Sequence, residues 1–284
     1  MKKNDEETLK DLQQEELKIF KEFIKVCDIL NINYYLIGGT CIGAIRHNGF
    51  IPWDDDIDVC MLREEYDIFV KQAQKYLPSN YFLQTFETDP EYPNCFAKIR
   101  NSETTFIEDS VKDKKMNHGI YIDIFPLDNL YKYNVIKDKL IKIALFRHLH
   151  NNSNDFKKKI AVAISDLFYK RKSKNELCEI LDKMYRKGNS KSSEKVVNYG
   201  GAWGIKKESH FKSDYQDYKL VDFEDIKVKV PIGYDRCLKD TYGDYMKLPP
   251  EEKRQPHHFS ETIDTKKSYK YYINNGDEKK WKEY

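Results

Sequence analysis

The chain has 284 residues, of which 40% are hydrophobic, 34% are charged and 14% are aromatic. This composition supports a packed core and excludes a disordered or fibrous protein. The formal net charge is only +2, from 49 basic and 47 acidic side chains, which argues against a protein whose whole surface binds nucleic acid. The charge is unevenly distributed, however, because residues 132–195 hold 17 Lys and Arg against 7 Asp and Glu.

Helices and strands alternate in the predicted first half of the chain. Apolar residues recur at helical spacing from Leu9 to Leu30, and the aromatic and branched run at 34–37 predicts a buried strand that ends in a tight turn at Gly38-Gly39. The same patterns predict, in chain order, a helix at 40–46, a strand at 57–61, a helix at 63–76, and strands at 95–100 and 119–125. This mixture indicates an α/β fold with a central sheet.

The second half begins with a basic segment of helical pattern. Residues 132–187 follow this pattern with a polar interruption at 151–155, and a strand at 228–232 and a helix at 234–245 come later. We therefore expect three parts: a catalytic core over 1–131, a basic helical subdomain or insertion over 132–195, and a C-terminal part over 196–284 that completes the core and the substrate site.

The six cysteines and the lengths of the apolar segments indicate the cellular compartment of the protein. The cysteines form no C-x-x-C pair and do not cluster with histidine at the spacing of a zinc site, so reduced, buried thiols are expected. The N-terminal stretch lacks the apolar run of a secretory signal, and every hydrophobic segment is far shorter than the roughly 20 residues that span a bilayer. These patterns predict a cytoplasmic protein.

The most informative acidic residues are Asp56 and Asp58. Alternate residues of the strand predicted at 57–61 point the same way, so both carboxylates would share one face. Two such carboxylates suit Mg²⁺ or Mn²⁺, since hard cations take oxygen ligands and keep substrate phosphates among them. A solvated acidic strand end would look the same. Asp54 and Asp55 are expected only to position the loop, because three adjacent acids should not all face one metal.

A third carboxylate and a glycine pair complete the pattern. Asp123 stands in an otherwise apolar strand, where a lone buried charge is costly without a metal, a charge partner or bonds to neighbouring backbone. Gly38, Gly39 and Thr40 precede a predicted helix, so their backbone can approach phosphate oxygens closely, although a plain tight turn would also account for the glycines. Together these features predict a nucleotidyltransferase-like core sheet flanked by helices.

The segment 39–58, GTCIGAIRHNGFIPWDDDID, resembles the signature of the LicD family of phosphotransferases, whose usual form has Leu-Leu where this chain has Cys41-Ile42. Stretches at 97–100, 119–128 and 242–258 are similar to the family in kind and order, so the resemblance covers nearly the whole chain. It implies metal-dependent transfer of phosphocholine from CDP-choline to a hydroxyl of a cell-surface glycan, in lipopolysaccharide or a teichoic acid precursor, with CMP released. CDP-ribitol, CDP-glycerol and CDP-ethanolamine are alternative donors.

The resemblance and the motifs together assign expected roles. Asp56, Asp58 and Asp123 are the expected catalytic and metal-binding residues, and Asp123 would also take the proton of the acceptor hydroxyl. The residues expected to bind the donor are Gly38, Gly39, Thr40, Arg46, Lys98, Arg100, Arg254 and His257. The alternative for Lys98 and Arg100 is a charged edge strand, and the alternative for Arg254, His257 and the adjacent His258 is an ordinary polar loop.

A choline group would rest against aromatic faces, for which Trp53, Tyr121, Trp203 and Tyr242 are candidates. The basic segment 132–195 would meet an anionic acceptor or the inner face of a membrane, or it would simply face solvent. Two rival functions stay open at this stage. One is a nucleotidyltransferase that attacks the α-phosphorus of a nucleoside triphosphate, and the other is a non-catalytic binding module with a degenerate site.

Overall fold

The computed structural model describes residues 3–147, 155–256, 258 and 260–275. The helices in this part of the chain are α1 Lys3–Leu30, α2 Gly38–His47, α3 Arg63–Gln72, α4 Val135–Leu145, α5 Phe156–Tyr169, α6 Lys174–Arg186, α7 Tyr234–Tyr242 and α8 Tyr269–Asn275. The strands are β1 Tyr35–Leu36, β2 Asp58–Leu62, β3 Tyr81–Gln84, β4 Ala97–Asn101, β5 Thr105–Glu108, β6 Ile120–Asn129, β7 Lys195–Val197, β8 Ser209–Phe211, β9 Tyr218–Phe223, β10 Ile226–Pro231 and β11 Ser260–Asp264. The expected mixed α/β class is confirmed.

The central sheet is built around the long strand β6. Its neighbours follow the order β1-β2-β6-β4-β3, with β2 parallel and β4 antiparallel to β6. The last residues of β6 pair instead with β7, which pairs in turn with β8. The register places Asp123 of β6 opposite both Asp58 of β2 and Lys98 of β4. Three charged side chains therefore form one row across three adjacent strands.

Helix α1 covers one face of this sheet with an apolar stripe. Leu12, Ile19, Phe20 and Phe23 are fully buried there, and Phe23 meets the ring of Tyr34 edge-on with centroids 5.2 Å apart. Burial of each such side chain contributes about 1.5–3 kcal/mol to stability. The long amphipathic helix predicted at the N-terminus is thus confirmed, and its buried stripe brings the middle of α1 under the acidic part of the sheet.

The basic helices form a second layer against the end of β6. Ile141 of α4 and Leu177 and Leu181 of α6 share a buried apolar cluster with Val197 of β7. Arg63 at the start of α3 anchors this region, because its guanidinium donates two hydrogen bonds to Asp128 of β6 at 2.7 and 2.6 Å. The prediction of a basic helical segment is confirmed, whereas the division of the chain at residues 131 and 195 stays a prediction.

Two expected boundaries are wrong in ways that matter for the site. Strand β2 begins at Asp58, so Asp56 lies in the preceding loop and not on the strand. Helix α2 begins at Gly38, so the glycine pair forms its first turn and no separate turn precedes the helix. Strands β3, β5, β7, β8, β9 and β11 and helix α8 were not expected, because such short strands and a seven-residue helix carry little periodicity of their own.

Two further expectations concern the state of the cysteines and the presence of membrane-spanning segments. All six cysteines are free, and five of them are buried, as predicted. Among the described helices, none combines the length and the apolar character needed to cross a bilayer.

Candidate active site

The row of charges across β2, β6 and β4 forms the floor of the site. The Lys98 ammonium lies 2.9 Å from Oδ1 of Asp123 and 3.3 Å from the centroid of the Tyr121 ring. Burial, followed by the charges of Asp56 and Asp123, raises the pKa of Asp58, and Lys98 opposes this only in part. Burial also raises the pKa of Asp123 against the nearby Lys98. The floor therefore holds more buried negative charge than its single lysine balances.

The loop before β2 brings three consecutive carboxylates together. One oxygen from each of Asp54, Asp55 and Asp56 lies within 4.8 Å of the others, and Asp54 and Asp55 are buried. Three adjacent acids can therefore approach one point, which removes the reason for expecting that they would not all face one metal, while the positioning role of Asp54 and Asp55 stays a prediction. The loop turns instead of running straight, since the Asp54 N–H donates to the Ile51 carbonyl at 2.9 Å and the Gln13 side chain donates to the Asp54 carbonyl at 2.8 Å.

The glycine pair at the start of α2 makes room for two of these carboxylates. Gly38 has φ +60°, a conformation that favours glycine, and a Cβ there would lie 3.2 Å from Oδ2 of Asp58. A Cβ at Gly39 would lie 2.7 Å from Oδ2 of Asp54, so any side chain there would displace that carboxylate. The positive end of the α2 dipole thus faces both acids. The Thr40 hydroxyl accepts the Asp58 N–H at 2.8 Å and so holds the start of β2.

His258 closes the acidic loop from the C-terminal side. The backbone N–H of His258 donates to Asp55 Oδ2 at 2.9 Å. The ring Nδ1 of His258 lies 3.4 Å from Asp55 Oδ1 and 4.0 Å from Asp56 Oδ2. Burial disfavours the charged ring, but the Asp55 hydrogen bond and the charges of Asp56 and Asp55 outweigh it and raise the pKa of His258 to about 9. The imidazole is therefore positively charged at neutral pH. The predicted neighbour His257 lies outside the described residues.

Glu16 of α1 belongs to the same cluster and was missed in the sequence. It is 2% exposed, and its Oε2 has no hydrogen-bond partner among the described residues. Burial, followed by the charges of Asp56 and Asp55, raises the pKa of Glu16 well above its ordinary value. The sequence did contain a signal that Glu16 is buried. Glu16 stands four residues from both Leu12 and Phe20 and so shares their buried face of the helix.

A cavity of about 300 Å³ is lined both by members of this cluster and by aromatic residues. Asp56, Asp58, Asp123 and His258 line it, and so do Trp203, Glu208 and Tyr242, which we call its aromatic end. The cavity therefore joins a group of acids and one cation to a wall of rings.

The aromatic end also contains a carboxylate. The rings of Trp203 and Tyr242 meet edge-on with centroids 5.3 Å apart, and the backbone N–H of Trp203 donates to Glu208 Oε1 at 3.0 Å. Gly201 leaves room for this carboxylate, with which any Cβ there would collide. Burial raises the pKa of Glu208, although the Trp203 N–H opposes the shift. Of the four aromatic residues proposed from the sequence, only Trp203 and Tyr242 are among the residues that line this cavity.

Two of the predicted donor-binding cations lie beside the acidic loop and do not line the cavity. Arg46 donates to the Tyr245 carbonyl at 2.6 Å, and Arg254 donates to the Pro249 carbonyl at 2.9 Å while its guanidinium carbon lies 5.6 Å from the centroid of the Trp53 ring. Burial and the charge of Arg254 lower the pKa of Arg46, whereas Asp54 opposes this shift. These two arginines thus form a basic rim next to the loop, with Trp53 beneath it.

Arg100 and Lys98 share a face of β4, as predicted, but Arg100 does not reach the cavity. Arg100 is fully buried, donates to Gln84 at 2.6 Å and to the Gly119 carbonyl at 2.7 Å, and lies 3.5 Å from the Glu108 carboxylate. Arg100 is therefore engaged by protein groups and is not among the residues that line the cavity, and its role as a phosphate ligand stays a prediction. Lys98 is equally buried and is engaged by Asp123.

Comparisons with known proteins match regions of the chain that include residues of this site. Residues 31–167, which include the acidic loop and Asp123, match the family described as LicD/FKTN/FKRP, nucleotidyltransferase domain. The chain is 35% identical over 262 residues to the lipopolysaccharide cholinephosphotransferase LicD of Haemophilus influenzae, and the alignment covers 89% of this chain and 97% of that protein. The chain belongs to the LicD family.

Two rickettsial relatives share only part of the LicD-family chain. The protein RT0683 of Rickettsia typhi is 49% identical over 114 residues, which are 40% of this chain and 34% of that protein. The protein RP689 of Rickettsia prowazekii is 28% identical over 116 residues, 38% of this chain and 42% of its own length. Membership of the LicD family confirms the expectation of a phosphotransferase. The aromatic end and His258 lie outside the part that matches the family description, 31–167.

Proposed function

We propose that this LicD-family enzyme transfers phosphocholine from CDP-choline to a hydroxyl of a cell-surface glycan or its lipid-linked precursor and releases CMP. The observation that carries the proposal is the cavity that joins the acidic cluster to Trp203, Glu208 and Tyr242. A diphosphate with its metal requires the acids, and a quaternary ammonium fits the rings. The name of the Haemophilus influenzae relative, a lipopolysaccharide cholinephosphotransferase, supports both the transferred group and the class of acceptor.

The acidic cluster fits a divalent cation. Its carboxylates are Asp54, Asp55, Asp56, Asp58, Asp123 and Glu16, while Lys98 and His258 are the cations in contact with them among the described residues. Oxygen ligands in excess negative charge suit Mg²⁺, and Mn²⁺ is the alternative. Asp56, Asp58 and Asp123 line the cavity and would hold the ion. When bound, it would supply charge neutralisation for the diphosphate and for the departing CMP.

The chain's own side chains would act around the donor. The Lys98 ion pair fixes the Asp123 carboxylate at the cavity floor, where Asp123 would take the proton of the acceptor hydroxyl as that oxygen attacks the distal phosphorus. The charged imidazole of His258, whose Nδ1 lies 3.4 Å from Asp55 Oδ1, would face the donor phosphates and stabilise their negative charge. The bond that breaks joins this phosphorus to the oxygen that leaves with CMP.

The aromatic end would select the alcohol. A trimethylammonium group against the rings of Trp203 and Tyr242 would gain cation-π attraction of about 0.5–2 kcal/mol, and the Glu208 carboxylate would add a charge of opposite sign. Ribitol and glycerol carry no positive charge, so neither would gain from the rings or from the Glu208 carboxylate. The ammonium of ethanolamine has three N–H donors, which would lose their water among the rings. We therefore expect CDP-choline to be preferred over the other three donors.

Release of CMP in the absence of an acceptor tests the proposed reaction. Purified protein is incubated separately with CDP-choline, CDP-ethanolamine, CDP-glycerol and CDP-ribitol, in Mg²⁺ and in excess EDTA, and slow hydrolysis to CMP is followed. We expect Mg²⁺-dependent release, fastest from CDP-choline, which Asp123→Asn abolishes and the exposed control Asp113→Asn does not. Equal rates in EDTA would contradict the metal, and release from none of the donors would contradict the reaction.

Substitutions at the aromatic end test the alcohol specificity separately. Trp203→Ala or Glu208→Gln should raise the KM for CDP-choline about tenfold or more, with little change in KM for CDP-glycerol, because only choline gains from the site. Trp203→Phe should retain most of the affinity, since it keeps a ring. Tyr271→Ala is the matched control, because Tyr271 is 51% exposed against 52% for Trp203. Equal losses with both donors would contradict a choline site.

A further inference from the structure

Helix α5 presents a large apolar face to solvent. The exposed residues on this face are Phe156 (74%), Ile160 (45%), Ile164 (44%), Leu167 (82%) and Phe168 (67%). At 3.6 residues per turn, their directions fall within an arc of roughly 120° around the helix axis. Exposed apolar residues are ordinary when they are scattered, whereas a contiguous group of this size usually marks a surface that binds something apolar.

The opposite side of α5 is fixed to the protein. Val162 and Ser165 are 3% and 0% exposed, and the Ser165 hydroxyl donates to the Leu140 carbonyl of α4 at 2.8 Å. Asp155 caps the first turn by accepting the Lys157 N–H at 2.9 Å. The helix is thus held with its apolar face directed away from the rest of the described chain.

Basic side chains surround this apolar face. Exposed cations stand at both ends of α5, namely Lys157, Lys158 and Lys159 at its start and Lys170, Arg171 and Lys172 at and beyond its end. Two copies of the chain meeting through this face would bring like charges together, which disfavours a dimer. An anionic lipid surface satisfies both features, because its headgroups attract the cations and its acyl boundary takes the apolar side chains.

We propose that α5 is a membrane-docking helix that lies in the plane of an anionic bilayer. Its 14 residues are about 21 Å long, and its apolar side chains enter the headgroup boundary while the flanking lysines contact lipid phosphates. Such docking holds the enzyme at the surface where lipid-linked glycans are found. The inference concerns a surface outside the cavity and does not require the proposed choline chemistry.

Vesicle co-sedimentation of the full chain tests the docking helix. Wild type is mixed at low salt with phosphatidylcholine vesicles and with vesicles that contain roughly one-third phosphatidylglycerol. We expect binding to the anionic vesicles only, and a loss of at least about tenfold in apparent affinity for the double variant Leu167→Ser with Phe168→Ser. The double variant Ile29→Ser with Ile232→Ser is the matched control, because Ile29 and Ile232 are 58% and 51% exposed elsewhere on the surface.

Further measurements distinguish a lipid bilayer from a second copy of the chain as the partner of the apolar face of α5. The Leu167→Ser, Phe168→Ser variant should keep the melting temperature of wild type and its CMP release from soluble donors, which shows that neither fold nor cavity has changed. Absence of wild-type binding at low salt would overturn the proposal. So would unchanged binding of the variant, which indicates a contact through charge alone. Self-association of wild type in sedimentation velocity that the variant loses, without vesicle binding, would assign the face to a second copy instead.

Discussion

Replacing Asp58 by Asn should stabilise the metal-free protein and remove its response to Mg²⁺. Asp58 and Asp123 stand opposite each other on parallel strands, whose spacing of about 4.8 Å puts the half-buried Asp58 carboxylate and the buried Asp123 carboxylate about 5 Å apart. At an effective dielectric constant of about 20, their repulsion is about 3 kcal/mol. Lys98, 2.9 Å from Asp123, offsets part of it, so relief of about 1–2 kcal/mol is expected, or roughly 3–6 °C in melting temperature.

The pH dependence of this gain follows from the direction of the pKa shift. Burial and the charges of Asp56 and Asp123 raise the folded-state pKa of Asp58 above its unfolded value of about 4. The penalty is therefore absent below about pH 4, where both states bind the proton, and grows as the pH rises toward the folded-state pKa. Wild type and Asp58→Asn should have similar stability in acid and should diverge as the pH increases.

Thermal unfolding followed by circular dichroism measures both effects. Wild type, Asp58→Asn and the exposed control Asp113→Asn are melted in excess EDTA and in millimolar Mg²⁺. We expect the variant to melt higher than wild type in EDTA and to gain nothing from Mg²⁺, while the control behaves as wild type. A lower melting temperature of Asp58→Asn than of wild type in EDTA would refute the claim that repulsion among the acids destabilises the site. A rise in the melting temperature of Asp58→Asn with Mg²⁺ as large as that of wild type would refute the assignment of Asp58 as a metal ligand.

The remaining predictions concern the Arg63–Asp128 ion pair, His258 and Gly39. Arg63→Met leaves the buried Asp128 carboxylate unpaired and should cost about 3–5 kcal/mol in chemical denaturation, part of which a second substitution, Asp128→Leu, restores. In EDTA, the protonated His258 stabilises the fold below its unfolded-state pKa of about 6.5, and this contribution is lost as the pH rises through about 9, so His258→Gln should flatten the decline in melting temperature over that range. Gly39→Ala should lower CMP release by at least about tenfold, because its Cβ would displace the Asp54 carboxylate 2.7 Å away.

Each of these predictions has a distinct contrary outcome. An Arg63→Met protein as stable as wild type would show that the pair with Asp128 has little energetic weight. An identical pH profile of melting temperature for wild type and His258→Gln would contradict the charged imidazole. Near-normal CMP release by Gly39→Ala would show that the acidic loop tolerates movement.

The sequence predicted those parts of the site whose signal is local. Asp123 stands alone in an apolar strand, so its cost of burial pointed to a charge partner, and the structure supplies Lys98 at 2.9 Å. The spacing of Asp56 and Asp58 was interpreted as strand alternation, yet the loop turns before β2 and gathers Asp54 and Asp55 as well. A turn closed by the side chain of a distant helix leaves no periodic pattern in the sequence.

Other parts of the site arise only from tertiary packing. Glu208 follows Asp58 by 150 residues, and only folding brings both to one cavity. Arg100 looked like a phosphate ligand because it alternates with Lys98, but its interior position depends on Gln84, Glu108 and Gly119 from neighbouring segments. Exposure of the apolar face of α5 likewise depends on which side of the helix packs against α4.

The position of bond cleavage in CDP-choline tests the central claim most directly. Hydrolysis without an acceptor is carried out in oxygen-18 water with Mg²⁺, and both products are analysed by mass spectrometry. Attack on the distal phosphorus with CMP as the leaving group predicts the label in phosphocholine and unlabelled CMP. Label in CMP would mean attack on the nucleoside-bound phosphorus and would contradict phosphocholine transfer by this site.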